Sequence, residues 1–383
     1  MIVFPSAGAW LRALTRLKVG KAPAALVASH YVLVEQEEPG RVALTMVEPG
    51  QYEGTLYLPT LEGGVCSRYL LHPDELEEVL RQIDAEMSVT LRPAAGGALL
   101  ETALGYRLVS AYAELSHFVR LPTAKRLLAR VSGRVWREGL RRVARFSGLR
   151  EADVLQAAYW TLRGQPGELL WMAPTPQVAV QTYLYEVLPA QTEFAGVLSG
   201  RLRHLRYLRD LGEEGDVELY YEEGWLTAVA SEGRVTVQVL APDLTANAFL
   251  GLLESEHEVV GRLQLFRVPL LGAVKLQRPG SKQRNPYLRL GLEGTQLCVS
   301  AFGNLHERSV LQLNVLAEWP DVCVSGAGLL TVLEASVEAQ VELQLRRFRR
   351  ADGVYAHYIW ARLGEKRRAV LPVRFPHELE ALC

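Results

Sequence analysis

SGRLRHLRYLRDLGEEGDVEL, residues 199–219, ends in the strand-like triplet Val217-Glu218-Leu219, which has two counterparts along the chain. Val89-Thr90-Leu91 lies 128 residues before it and Val341-Glu342-Leu343 lies 124 residues after it. Nine positions upstream of each triplet stands an apolar residue (Leu80, Leu208 or Val332) within a helix-like stretch. Sixteen residues past the start of the first two triplets comes a glycine between strands, Gly105 and Gly233; Gly364 fills that role in the third, after an insertion around RRFRRADG. Self-similarity at a fixed spacing is the signature of a repeated structural unit.

The repeats also begin alike. A short strand running into a helix is expected at MIVFPSAGAWLRALTRL, LLARVSGRVWREGLRRVARF and RLQLFRVPLLGAVKLQR, with Pro5 and Pro269 where a first helical turn tolerates proline. Apolar strands follow, among them AALVASHYVLVEQ, QAAYWTL and YLRLGL. Second helices are expected at about 72–86, 194–211 and 326–339; in the first, Leu76, Val79, Leu80 and Ile83 form one apolar stripe. Strands close each unit. The expected fold class is α+β, with three domains near 1–123, 124–245 and 246–383, each an antiparallel sheet carrying two helices.

Composition agrees with a globular chain: of 383 residues 49% are hydrophobic and 22% charged, enough to bury substantial cores. Apolar runs such as 268–274 fall well short of the roughly 20 residues that cross a bilayer, so no membrane partner is expected. The first basic residue, Arg12, follows the apolar start instead of preceding it, so no signal peptide is expected and the cytoplasm is the expected compartment. Cys66, Cys298, Cys323 and Cys383 are scattered without a CxxC pair, which fits isolated thiols in a reducing compartment. Phosphate loops, GxGxxG, HExxH and GxSxG are missing, and the eight histidines have no metal-ligand spacing. The sequence therefore calls for no catalytic residue, no metal and no cofactor.

Charge is segregated although the net is only −1. Residues 125–150 hold nine bases against the single acid Glu138. Trp136, Leu140 and Val143 mark a buried stripe there, while Arg134, Arg137, Arg141 and Arg145 recur on another face. Leu198, Leu202, Leu205 and Leu208 repeat the pattern beside Arg203, Arg206 and Arg209. The first helices of the outer repeats add Arg12, Arg16, Lys18 and Lys21, and Lys275, Arg278, Lys282 and Arg284. One-sided basic helices are the footprint expected of a surface held near a phosphate backbone, and these positions are the candidate DNA-binding residues. Acids on the second helices, including Glu75, Glu77, Glu78, Glu334 and Glu338, oppose that attraction. Trp136, Trp160, Trp171, Trp225 and Trp360 are expected in cores, as is LQLF at 263–266.

Over nearly its whole length the chain resembles the bacterial DNA polymerase III beta subunit, the sliding clamp. SEGRVTVQVLAPDLT resembles the end of that family's second domain, YIWARLGEKRRAVLPVRF its last strand pair, and Val370-Leu371-Pro372-Val373-Arg374-Phe375 its closing motif. LHPDELEEVLRQI and SGRLRHLRYLRDLGEEGDVEL resemble second helices with the strand after them. The resemblance implies a clamp fold of three domains forming half of a closed ring, two subunits encircling duplex DNA without sequence preference, helices inward and sheets outward. It implies DNA polymerase, clamp loader and repair proteins as partners, docking short peptides in a pocket to which Pro242 and residues 370–375 contribute. It places a homodimer contact on the strand holding Tyr106 and Leu108, and a DNA-touching loop at Lys21. Two departures stand out: residues 173–180, APTPQVAV, lack the family's Gly-His-Arg core, and PHELEALC, 376–383, extends past the usual end, able to cover or rebuild the pocket.

Overall fold

A computed structural model describes residues 1–17, 31–63, 67–112, 115–146, 159–174, 182–242, 244–277, 287–303, 307–313, 318–350, 352–364 and 367–380. The element order repeats three times. The first run is β1 (Ile2–Phe4), α1 (Ala7–Leu17), β2 (Val32–Glu38), β3 (Arg41–Glu48), β4 (Tyr52–Pro59), β5 (Glu62–Gly63), β6 (Ser67–Leu71), α2 (Pro73–Arg81), β7 (Val89–Ala94), β8 (Gly97–Thr102) and β9 (Gly105–Ser110). The second is β10 (Leu127–Ser132), α3 (Gly133–Phe146), β11 (Tyr159–Gln165), β12 (Glu168–Pro174), β13 (Tyr183–Pro189), β14 (Gly196–Arg201), α4 (Leu205–Arg209), β15 (Asp216–Glu222), β16 (Trp225–Ala230) and β17 (Gly233–Leu240). After α5 (Leu244–Glu254) the third run follows: β18 (Glu258–Phe266), α6 (Arg267–Gln277), β19 (Tyr287–Glu293), β20 (Gln296–Ala301), β21 (Arg308–Gln312), β22 (Val322–Ser325), α7 (Gly326–Ala335), β23 (Gln340–Arg349), β24 (Tyr355–Arg362) and β25 (Arg367–Arg374), then α8 (Pro376–Glu380). The three quoted triplets sit on β7, β15 and β23.

Pairing repeats with the order. The strand that opens each run lies antiparallel to the triplet strand: β1 on β7, β10 on β15, β18 on β23. Each triplet strand leads into a meander, β7-β8-β9, β15-β16-β17 and β23-β24-β25. A second set of four also recurs, as β6-β2-β3-β4, β14-β11-β12-β13 and β22-β19-β20-β21. Edge pairing then joins runs: β17 lies against β4, and β25 against β13. Six of the eight α-helices among the described residues are accounted for at two per run. The other two, α5 and α8, have no counterpart.

By internal contacts the chain divides into two compact units, one of Met1–Glu138, Ala190–Phe194 and His204–Leu240, the other of Gly139–Pro189, Ala195–Arg203 and Ala241–Cys383. In the first, α1 buries Trp10, Ala13, Leu14 and Leu17, and the Trp10 ring stacks on Phe4 at 4.0 Å. The Trp136 indole N–H donates to the Leu208 carbonyl at 2.7 Å, pinning α3 to α4. In the second unit Trp160 and Trp171 lie 4.8 Å apart, and Gly200 lets the backbone approach them, since a Cβ there would meet the Trp160 ring at 2.2 Å. Trp360 is also nearly buried, while Trp225 is half-buried. Leu263 and Leu265 face the core from β18, leaving Phe266 half exposed.

One expected helix is mostly something else. Residues 196–201 form strand β14, and only a short 3-10 turn and α4 follow. Leu198 alternates on a strand instead of sharing a helical stripe with Leu202, Leu205 and Leu208, all of which are buried. No helix among the described residues is long and apolar enough to cross a membrane.

Candidate functional site

Helices of the first unit carry most of the expected phosphate contacts, and three of them, Arg16, Arg134 and Arg209, are paired with acids. Arg16 donates to the Asp210 carbonyl and lies 3.7 Å from the Glu213 carboxylate. Arg137 reaches the Glu213 carbonyl at 3.3 Å, and Arg134 pairs with Glu138 one turn on at 3.1 Å. Arg209 is bound to the neighbouring Asp210 carboxylate, whose hydrogen bond holds the guanidinium above its ordinary pKa. Arg206 lies over the Tyr207 ring at 4.5 Å. Arg12 is exposed. A cavity of about 640 Å³ beside α1 is lined by Arg12 and Arg16 together with Glu213 and Glu232, so its walls are of mixed charge.

In the second unit Arg141 is exposed, Arg203 half-buried, and Lys275 pairs with Glu334 at 3.1 Å. Arg145 lies on α3. Lys18, Lys21, Arg278 and Lys282 fall outside the described residues. These pairs are partly solvated, and exposed ion pairs contribute only about 0–1 kcal/mol, so a polyanion could exchange with the acids at small cost. The positions stay basic, but most are internally engaged.

The expected peptide pocket also belongs to the second unit. Pairing of β13 with β25 sets Tyr183 opposite Val370 and Tyr185 opposite Arg368, and β24 sets Trp360 beside Val370 and Tyr358 beside Pro372. Because side chains alternate along a strand, Val370, Pro372 and Arg374 share this face while Leu371 and Val373 turn into the opposite core. Val370 is buried, Pro372 and Phe375 are half-buried, Arg374 is exposed and Pro242 is half-buried. Phe375 packs on the rings of His357 and His377, so the last turn of chain, α8, folds back beside the end of β25. Of the altered segment, Ala173 and Pro174 end β12, and 175–180 lie outside the described residues.

No sequence pattern had marked what lies over this face. Helix α5 drives Phe249, Leu250 and Leu252 against Leu170, Met172, Trp360 and Val370, with Tyr183, Tyr185, Tyr358 and Phe348 around them. Phe249 stacks on Tyr183 at 4.4 Å. Burial here pushes the Tyr185 phenol up to about 12 against the pull of Arg368 and Arg346, and it draws both guanidinium groups down from their ordinary value. Arg346 answers by stacking on Trp360 at 4.5 Å. The run LTANAFLGLLE is apolar on nearly every side, so periodicity could not isolate it; Pro242 ahead of an apolar stretch was the available signal.

Of the strands that end a meander or a four-stranded set, two keep one edge unpaired among the described residues. Strand β9 has only β8 beside it and exposes Tyr106 and Leu108, with Leu104 in the preceding turn. A cavity of about 380 Å³ lined by Val79, Ile83, Met87 and Leu100 opens next to them. In the other unit β21 has only β20 beside it and exposes Val310, while α6 exposes Val268 and Leu276. Unprotected apolar edges are usually covered by another chain.

No family model and no curated protein matches the sequence. Solved structures do match the fold. A sliding clamp (DNA polymerase III subunit beta) from Pseudomonas aeruginosa superposes with a TM-score of 0.79 at 14% identity, over 97% of this chain and 99% of that one. The DNA polymerase III beta subunit of Thermotoga maritima gives 0.76 at 10% identity, over 97% and 98%. The Helicobacter pylori beta clamp gives 0.74 at 12%, over 97% and 99%.

Proposed function

We propose, with the sliding-clamp fold as premise, that this chain is a DNA clamp: two copies join into a ring that holds polymerase or repair proteins on duplex DNA in the cytoplasm, with no chemistry of its own. The three runs are its domains, near 1–123, 124–245 and 246–383. One observation carries the proposal. Where runs meet within the chain, the last strand of a meander pairs with the last strand of a four-stranded set, β17 on β4 and β25 on β13. The same rule applied to the strands left over, β9 and β21, pairs one copy with the next twice over, which closes a symmetric dimer. Exposed Tyr106, Leu108 and Val310 support that contact. Arginines and lysines of the helices supply loose, sequence-independent attraction to phosphate, and closure prevents escape.

The expected result is a particle of twice the chain mass that, once loaded, stays on nicked circular DNA and leaves after linearisation. Replacing Tyr106 and Leu108 with Asp should yield monomers that are not retained. A wild-type monomer without retention would overturn the clamp. It would favour a scaffold that works through protein contacts alone, a role for which the acids already seated on Arg16, Arg134, Arg209 and Lys275 speak.

A further inference from the structure

We propose that α5 is a built-in occupant of the partner-peptide face: the aromatic sheet beneath it accepts a short apolar peptide bearing an aromatic ring, and such a peptide binds by displacing α5. This rests on the clamp reading of the face around Val370. Chemistry on the page identifies the ligand class. The surface that α5 covers is Met172, Tyr183, Tyr185, Trp360 and Val370, and the side chains filling it are one aromatic, Phe249, and leucines at 250, 252 and 253. A partner must present the same character to compete.

The cover is built to come off. Helix α5 lies outside the threefold pattern, so its departure leaves every strand pairing in place. It is a poor helix in isolation. Gly251 sits in its middle, where an added Cβ would meet nothing within 4 Å, so no packing requires glycine there. Its last turn has no base and ends in Glu254, an acid at the negative end of the helix dipole. Among the described residues its one ion pair is Arg163 to Glu254 at 2.9 Å, with Glu254 well exposed, and the His257 ring nitrogen meets the Leu252 carbonyl at 2.6 Å. Its fit is also incomplete: the Trp360 indole N–H is buried without a hydrogen-bond partner among the described residues. An arriving peptide carbonyl can satisfy that group, whereas α5 does not.

The test uses the full chain and two probes, a fluorescein-labelled peptide of residues 244–256, LTANAFLGLLESE, and a clamp-type peptide containing Leu-Gln-Leu-Phe, the sequence of residues 263–266 that resembles the motif clamps bind, with binding read by anisotropy. Phe249→Asp/Leu252→Asp should bind both about tenfold more tightly than wild type, because the open state no longer has to be populated first. Glu254→Arg breaks the ion pair and sets a second guanidinium against the largely buried Arg163, which outweighs the gain from a base at the helix C-terminus, and should gain about twofold. Gly251→Ala, which strengthens the helix, should lose about fourfold. Opposite shifts from two variants that leave the sheet intact cannot come from misfolding. Equal affinity across Glu254→Arg, Gly251→Ala and wild type overturns the proposal and leaves the clamp function standing. Failure of the clamp-type peptide to bind any form overturns both the proposal and partner tethering, whereas loss of DNA retention alone refutes encirclement and not the displaceable helix.

Discussion

At the seam where β17 meets β4 the side chains flanking the paired backbones are Glu53, Thr55, Arg234 and Thr236; where β25 meets β13 they are Tyr183, Tyr185, Arg368 and Val370. Each seam is crossed by the segment that leads into the next run, and the two crossings use opposite chemistry. Over the first, an extended stretch is bolted down by directional bonds. Arg120 pairs with the buried Glu53 at 2.7 Å, the Leu121 N–H donates to the same carboxylate at 2.7 Å, and the Ala124 N–H donates to Thr227 at 3.1 Å. Over the second, α5 lies on rings through non-directional contact. A buried carboxylate with two guanidinium partners tolerates no substitute, because removing any member strands a charge. An apolar surface accepts any apolar occupant of suitable shape. The first seam is therefore a permanent joint and the second an exchangeable one.

The largest expected effect breaks the second seam from below. Trp360→Ala deletes the ring on which Arg346 and α5 rest, and truncating a buried aromatic costs about 3–5 kcal/mol. The urea midpoint of the transition reported by far-UV circular dichroism should fall accordingly. An unchanged midpoint would mean that α5 and its sheet contribute nothing to the fold.

A smaller loss should follow at the first seam. Glu53→Gln takes the Glu53 carboxylate from Arg120 and Arg234, leaving Arg120 the Glu35 carboxylate at 3.5 Å. Breaking a buried pair costs about 3–5 kcal/mol, and since Arg120 is about one-third exposed the loss should be nearer 2. The extended crossing should also become a site of tryptic cleavage at Arg120. Resistance to trypsin equal to wild type would show that backbone bonds alone hold the joint, and would erase the contrast between the two seams.

Much of this was legible in the sequence, and the gaps have physical causes. Three triplets at nearly equal spacing located β7, β15 and β23 because each must pair with the strand that opens its run, which fixes both an alternating pattern and a distance. The basic stripe on α3 was legible because helical spacing is local. What faces that stripe was not: Asp210 and Glu213 reach Arg16 from about two hundred residues away, and no periodicity reports a partner that only folding brings near. Leucines at 198, 202, 205 and 208 mimic a helical stripe, yet Gly200 puts β14 against the Trp160 ring, where a backbone must come close and a helix could not. Helix α5 escaped for the reverse reason. A run apolar on all sides has no polar face to give it a period.

The finest test of the exchangeable seam is a titration. Burial holds the Tyr185 phenol at about 12, whereas an unfolded tyrosine ionises near 10. A folded pKa above the unfolded one means that the native state keeps its proton longer, so this group's contribution to stability is full below about pH 10 and is lost as pH rises towards 12. In wild type, the Tyr185 phenol should therefore stay silent in phenolate absorbance, together with the buried Tyr52, after exposed tyrosines have titrated. With Phe249→Asp/Leu252→Asp, water reaches the ring, the desolvation that dominates the shift weakens, and Arg368 and Arg346 pull the same phenol back toward the ordinary range. Should Tyr185 titrate as late in that variant as in wild type, the sheet itself and not α5 would be excluding water, and the second seam would be as permanent as the first.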